Sequence, residues 1–422
     1  MNPGDAQVNV LMLSPGFPDE MVWFTEGLAQ VGATVFGVGE QPGGTLPRRC
    51  RDALDAYLQV PSLWDEDAIV ERVLTEARAG NIRFARVECL WEPLMILAAR
   101  LREALDVPGL TVAETVPFRD KEVMKTVLDE AGIRTPRHAS CRDEAECRAA
   151  AERIGYPLIA KPIAGAGSAD THRVDDAADL DRVLPLIAHV EEISIEEFIE
   201  GREFTFDSVC ADGDVLFHNI SWYRPRPLIA RTVEWTSPQT IALREPQMPP
   251  LEDGRAMGLA VLEALGFKTG FTHMEWFLTE SGEAVFGEIG ARPPGARSVE
   301  IMNVASDLDL YRGWAEAVCH GRFSQPIERR YNAAIIFKRA EGEGRIRVVE
   351  GLDTLMARIG QHVTAVDLLP VGSHRRNWKQ TLMSDGHIVL RHPDLDTCME
   401  LADKVGTDLR LVAGEPATGA PA

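Results

Sequence analysis

The chain has 422 residues, of which 45% are hydrophobic, and its 65 acidic against 44 basic side chains give a net charge of −21. That length suits about two to four globular domains, and the acidity, with no lysine and arginine run to offset it, argues against nucleic acid or anionic membrane as a partner. The seven cysteines are scattered and lack a CxxC pair, so reduced thiols and no structural zinc site are expected. No apolar run of about 18 uncharged residues and no signal-like start occur, which makes a cytoplasmic location the default expectation.

In chain order, residues 8–13 read as a buried strand, 20–31 as a helix stopped by Gly32, and 34–38 as a second strand. Residues 83–89 and the helical stretch 93–105 continue the alternation, which argues for a parallel α/β layer. The first turn, Ser14-Pro-Gly-Phe-Pro-Asp19, lacks GxGxxG, so it suits a structural or substrate-side role better than dinucleotide binding.

A new unit starts near Val112. Asp120 can cap a helix over 121–131, with Val123, Met124, Val127, Leu128 and Ala131 at helical spacing and Gly132 as the stop. Lys121 therefore lies in the first turn; taken alone it is a solvated charge. After a second helix over 143–154, a short apolar strand over 156–161 ends on Lys161. The following loop, with Gly165, Gly167 and Ser168, could let backbone amides approach phosphates without side-chain obstruction, although it is not a Walker motif. A third helix over 175–189 leads to strands at 193–199 and 204–210, the latter turning at Asp212-Gly213. Residues 222–231 form a proline-stiffened stretch whose Arg224, Arg226 and Arg231 could bind a substrate carboxylate or pair with acidic neighbours.

Residues 273–279 and 284–289 read as a hairpin around Ser281-Gly282. If those two residues form the turn, Glu275 lies directly opposite Glu288, and both project from one face with Phe277 and Phe286 beside them. The other face would carry Met274, Trp276, Leu278, Val285 and Ile289. Like charges about 5 Å apart need neutralising. A wet, solvated rim is one answer; a divalent cation is the other, favoured by the aromatic neighbours and by Arg292 just beyond the strand. Trp276 and Arg297 are further pocket candidates, with packing as their plainer role. Past residue 321, strand signals at 332–338, 364–369 and 387–390 and a helix at 395–405 suggest a C-terminal lobe. Residues 414–422 read as a disordered tail.

Asp120-Lys121, Ala160-Lys161-Pro162 with its glycine loop, Glu196 to Glu203, His273-Met-Glu275 and Glu288-Ile-Gly-Ala-Arg292 occur in the order found in ATP-grasp carboxylate-amine ligases, and over about residues 112–320 the chain resembles that family. The resemblance implies a mixed α/β and α+β architecture: an N-terminal Rossmann-like pre-ATP-grasp domain (1–111), an ATP-grasp domain with a small lobe (112–198) and a large lobe (199–320), and a C-terminal lobe (321–413). It implies ATP and Mg²⁺ as cofactors, with Mn²⁺ able to substitute. Lys121 and Lys161 would contact phosphates beside Gly165, Gly167 and Ser168. The segment Glu196, Glu197, Phe198 and Ile199 would border adenine, and Glu203 would accept the ribose hydroxyls. Glu275 and Glu288 would hold metal, and Arg292 would lie near the transferring phosphoryl group.

His273-Met-Glu275 and the segment ending at Arg292 look like the L-amino acid ligase branch, where the histidine positions the acyl intermediate; an ordinary satisfied strand histidine is an equal alternative. Many relatives place asparagine where this chain has Gly290, and biotin carboxylases place glutamate where it has Ala296. The implied reaction is ATP-dependent amide or peptide bond formation between small-molecule carboxylate and amine substrates, with room for a homodimer. The alternatives are an ATP-grasp carboxylase, a nucleotide-biosynthetic ligase or a non-catalytic ATP-binding module.

Overall fold

Strand Asn9–Leu13 is apolar and buried from Val10 onward and is flanked by parallel strands on both sides, as a central strand should be. The computed structural model, which describes residues 8–163, 171–381 and 383–414, orders this parallel sheet as Ala56–Gln59, Thr34–Gly39, Asn9–Leu13 and Arg86–Glu88. Helices Met21–Gln30 and Met95–Leu105 match the predicted pattern. The edge strand Ala56–Gln59 and the helix Glu66–Ala79, capped by Asp65, escape it, because a four-residue half-exposed strand has little periodicity to read.

A second sheet is antiparallel, in the order His138–Cys141, Ile193–Glu197, Leu158–Pro162, His172–Val174. Helix Lys121–Glu130 lies beside it, with the Asp120 carboxylate accepting from the N–H groups of Glu122 and Val123 at 2.9 and 3.0 Å, as its N-cap position predicts. The helix expected over 175–189 is shorter. It spans Ala177–Val183 and gives way to a 3₁₀ turn, Leu184–Leu186, because Pro185 has no N–H to continue the ladder.

The third sheet has nine strands among the described residues. Eight of them run in the order Ala284–Gly290, Gly270–Leu278, Arg202–Ala211, Ser221–Arg224, Gln239–Ala242, Asn332–Phe337, Gly386–His392, Val363–Leu368, and the ninth, Asp214–Asn219, pairs with Arg202–Ala211 off this path. Three strands of the C-terminal residues extend this sheet. Strands Arg345–Glu350 and Arg410–Gly414 pair separately, which also places Gly414 in a strand and not in a tail. The Arg375 side chain is 7% exposed and pairs with Glu234 at 2.8 Å.

Strand alternation gives the large sheet two unlike faces. On one, Phe204, Phe206, Met274, Trp276 and Leu278 pack under helix Glu252–Ala264, where Gly254 and Gly258 bring the helix so close that a Cβ would lie 2.2 Å from the Trp276 ring and 2.6 Å from the Phe206 ring. On the other, Val209 and Phe271 pack with Phe24 and Trp314, so the N-terminal domain shares a core with the sheet. Further along that second face the residues become polar. Among the described residues no helix is long and apolar enough to cross a membrane.

Candidate active site

The polar end of that face is built by register. Strand Gly270–Leu278 pairs with Arg202–Ala211 so that His273 faces Asp207 and Phe277 faces Glu203, and with Ala284–Gly290 so that Glu275 faces Glu288. The predicted Glu275 and Glu288 pairing is therefore present, but it arises differently. The turn is longer than two residues: Leu278 pairs with Ala284, and the Thr279 N–H donates to the Glu283 carbonyl at 3.0 Å. A bulge at Gly287 restores the lost residue, so the register beyond it returns to the expected one. Near the turn the one-residue offset moves Phe286 opposite Trp276, into the core, and sets Val285 opposite Phe277, reversing the sides expected for both.

The two carboxylates are not left to repel each other. The Tyr223 hydroxyl donates to Glu275 at 3.2 Å, His273 Nε2 lies 3.5 Å from Glu275, and Lys121 Nζ lies 3.4 Å from Glu288. Burial raises the Glu288 carboxyl, but Lys121, Lys161 and Arg292 together hold it below its ordinary range. Burial likewise opposes charge on His273, yet its Nδ1 contact with Asp207 at 2.6 Å and the nearby Glu275 push its pKa up to about 9, so it is a cation at neutral pH. Among the described residues no group of three or more His, Cys, Asp or Glu side chains is gathered to hold a metal ion unaided. Two facing carboxylates fit Mg²⁺, which takes one or two carboxylates and completes its shell with phosphate oxygens and water.

The lysines come from the small sheet and its helix. Lys161 and Glu196 project from the same sheet face, since Ile159 pairs with Glu196 and Lys161 with Ser194. Glu196 is buried and accepts from Lys161 at 2.9 Å, from Ser194 at 2.9 Å and from Lys125 at close range. Burial favours the neutral acid, but the two lysines overcome it and depress the Glu196 pKa well below the usual carboxylate value. Lys161 is held charged by Glu196, Glu288 and Glu275 against its burial. Sequence reading missed Lys125. Its spacing four residues after Lys121 puts both lysines on one helix face, which is the signal that could have found it.

The predicted adenine-side segment has defined partners. The Glu197 carboxylate accepts from Arg134 and Arg137, the Phe198 ring lies between the guanidinium groups of Arg173 and Arg226 at 4.3 and 4.8 Å, and the Ile199 carbonyl accepts from Arg226 at 2.9 Å. Arg226 also reaches Glu203 at 3.3 Å. Burial and the neighbouring Glu275 push the Glu203 pKa up to about 8 even so. Arg226 therefore belongs to this wall, not to a separate anion site. Arg224 is taken up by Gln239 at 2.9 Å and Asp403 at 3.1 Å, and Arg231 by the Lys379 carbonyl at 3.2 Å. Together with Tyr223 and Glu203, Arg224 lines a cleft of about 440 Å³.

Arg292 enters the site from beyond the hairpin and is fixed from the opposite domain: both its Nε and Nη2 bond the Glu92 carboxylate, at 2.8 and 2.7 Å. Glu92 also binds Arg119. Nothing local in the sequence marks Glu92, because its partners are 27 and 200 residues away. Two candidates stand outside the cluster. Trp276 is fully buried core, with its indole N–H on the Thr205 carbonyl at 3.2 Å, because its strand position points away from the acids. Arg297 lies over the Trp23 ring at 4.8 Å and near Glu300 at 3.6 Å. Gly165, Gly167 and Ser168 fall outside the described residues.

This pairing of an antiparallel lysine-bearing sheet with an acid-bearing hairpin is the ATP-grasp fold, and residues 118–222 match the family model described as "ATP-grasp domain". Residues 118–222 thus carry an ATP-grasp domain. More particularly, the chain is similar to the L-arginine-specific L-amino acid ligase of Bacillus subtilis, 26% identical over 235 residues that make up 54% of this chain and 56% of that protein. It is also 38% identical over 108 residues to the D-alanine--D-alanine ligase of Stutzerimonas stutzeri (strain A1501), covering 25% of this chain and 34% of that one. The chain thus spans about half, or less, of the length of these curated relatives. Among solved structures, the L-amino acid ligase from Bacillus licheniformis superposes with a TM-score of 0.77 at 22% identity, over 97% of this chain and 99% of that chain, a likeness of fold.

Proposed function

We propose that the protein is an ADP-forming carboxylate-amine ligase acting on amino-acid-like substrates. The observation that supports this most is the convergence of Glu275 and Glu288 with Lys121, Lys161 and Arg292 in one half-buried cluster. A site that must hold polyphosphate and a carboxylate side by side needs that density of cations. A substrate carboxylate oxygen would attack the γ-phosphorus of ATP, releasing ADP. An amine nitrogen would then attack the acyl phosphate carbon, phosphate would leave, and the amine proton would pass to solvent. No protein nucleophile is required; the residues position and neutralise.

Within this scheme Lys121 and Lys161 bind phosphate oxygens, Glu203 accepts the ribose hydroxyls, and Arg292, immobilised by Glu92, meets the transferring phosphoryl group. His273, held by Asp207, sets Glu275 in place and offers a positive charge to the acyl group. Glu275 and Glu288 would hold Mg²⁺, or Mn²⁺ in its stead, which supplies further neutralisation of phosphate charge when bound. The amino-acid substrate class draws on the similarity to the L-arginine-specific ligase. Ala296, standing where a carboxylase base would be, supports an amine over bicarbonate as the acceptor.

The test is phosphate release from ATP and Mg²⁺ across pairs of amino acids and amines, with mass spectrometry of the products. Release should depend on both partners, and Glu288→Gln should abolish it while leaving the circular dichroism spectrum unchanged. Release stimulated by bicarbonate alone, or undiminished product from the Gln variant, would overturn the assignment.

A further inference from the structure

Three aromatic rings stand together at one end of the N-terminal parallel sheet. Phe17 and Trp64 each pack edge-on against Trp91, at centroid distances of 5.0 and 5.9 Å and interplanar angles of 90° and 67°. Phe17 is 47% exposed and Trp64 62% exposed. A single exposed aromatic needs no explanation, but a contiguous group of large rings left open to solvent marks a binding surface.

Their place in the fold gives the group its meaning. Phe17 follows strand Asn9–Leu13, Trp64 follows Ala56–Gln59, and Trp91 follows Arg86–Glu88, so all three lie at the carboxyl ends of parallel strands. The sheet order runs outward from Asn9–Leu13 on one side through the second and third strands and on the other to the fourth. Phe17 and Trp91 therefore flank the point where the strand order reverses, the crevice in which open α/β sheets take their ligands. Trp91 also adjoins Glu92, whose carboxylate grips Arg292. One residue separates the aromatic shelf from the charge cluster.

The shelf is held firmly. Ser14 Oγ donates to the Phe17 carbonyl at 2.6 Å, the Leu94 N–H to the Trp91 carbonyl at 3.1 Å, and the Trp64 N–H to Ser62 Oγ at 3.2 Å. The carboxylates beside Trp64 and Trp91 are engaged, Glu92 with Arg292 and Arg119, Glu66 and Asp67 with Arg100, and Asp65 as a helix cap, while Asp19 near Phe17 is exposed. Two rings with committed acids beside them suit an apolar guest better than a cation.

We infer that Phe17, Trp64 and Trp91 form the side-chain subsite for the amino-acid substrate and select a large aromatic side chain. This rests on the ligase reading for the word substrate, but binding is testable without turnover. Titration calorimetry in the absence of ATP, using L-phenylalanine, L-alanine and L-arginine as probes, should give the tightest binding for L-phenylalanine. Trp64→Ala, at an exposed position where folding is not at stake, should weaken L-phenylalanine by about tenfold and leave L-alanine unchanged. Phe17→Leu should weaken it less. In turnover, KM for L-phenylalanine should rise while KM for ATP stays constant. Equal effects on all three probes, no effect of Trp64→Ala, or a larger effect on L-arginine would each overturn the inference. If selective binding survives but no pair of substrates releases phosphate, the ligase proposal fails and the subsite stands.

Discussion

Glu196 faces two lysines from a position with almost no solvent, and its folded-state pKa is depressed below the ordinary value of 4.5. Stability that depends on a depressed acid is present above the unfolded pKa and is lost as pH falls through it toward the folded value. Glu196→Gln should therefore destabilise by about 3–5 kcal/mol near neutrality, because Lys125 would be left buried without a counter-charge. The difference from wild type should shrink as pH is lowered below about 4.5, where the native carboxylate also begins to lose its advantage. Urea unfolding at several pH values checks this, and a pH-independent difference would show that the pair is not the source. Residues such as Glu196 were visible in the sequence by type and order, but their partners were not. The sequence places the glutamate in a segment whose backbone would border adenine and leaves its side chain unassigned; a linear chain does not reveal that Lys125 turns toward it from another element.

The hairpin that carries Glu275 and Glu288 owes its register to a single glycine. A Cβ on Gly287 would lie 2.8 Å from the Glu275 carbonyl oxygen, closer than a side chain tolerates. Gly287→Ala should cost about 1–3 kcal/mol through overpacking, and phosphate release should fall because Glu275 and Glu288 no longer align. Thermal unfolding and the release assay report the two effects separately; a variant equal to wild type in both would mean the bulge carries no register information. The alternation of apolar and charged residues was enough to find this hairpin and its acid pair. It did not reveal the bulge, because one extra residue in a strand leaves the pattern on either side intact and only exchanges Phe286 with Val285. The short helix after residue 176 likewise turned on Pro185, which was present to be read but was overridden by a continuing polar and apolar rhythm.

At the scale of the molecule, Glu92 ties the N-terminal segment to Arg292. Glu92→Gln would weaken charge-assisted hydrogen bonds to both Arg292 and Arg119, worth about 1.5–3 kcal/mol. The expected outcome is a lower kcat with little change in ATP affinity, measured by steady-state kinetics and nucleotide binding; unaltered kcat would show that Arg292 needs no such anchor. The succession of a parallel sheet and antiparallel sheets was legible because βα alternation and antiparallel runs leave different rhythms. The continuity of the large sheet into residues 332–392 was not, since strand pairing between Gln239–Ala242 and Asn332–Phe337 joins segments about ninety residues apart with no shared local signal.

The outermost strand of that sheet, Ala284–Gly290, would ordinarily present unpaired amides to any passing chain. Here the Phe286 N–H donates to the Arg134 carbonyl at 2.9 Å and Arg134 reaches Glu283 at 3.4 Å, so a loop beside the small sheet sheathes part of the border. The same Arg134 side chain binds Glu197 of the small sheet, so one loop joins the two, and a change that loosens it should first betray itself as turbidity on storage.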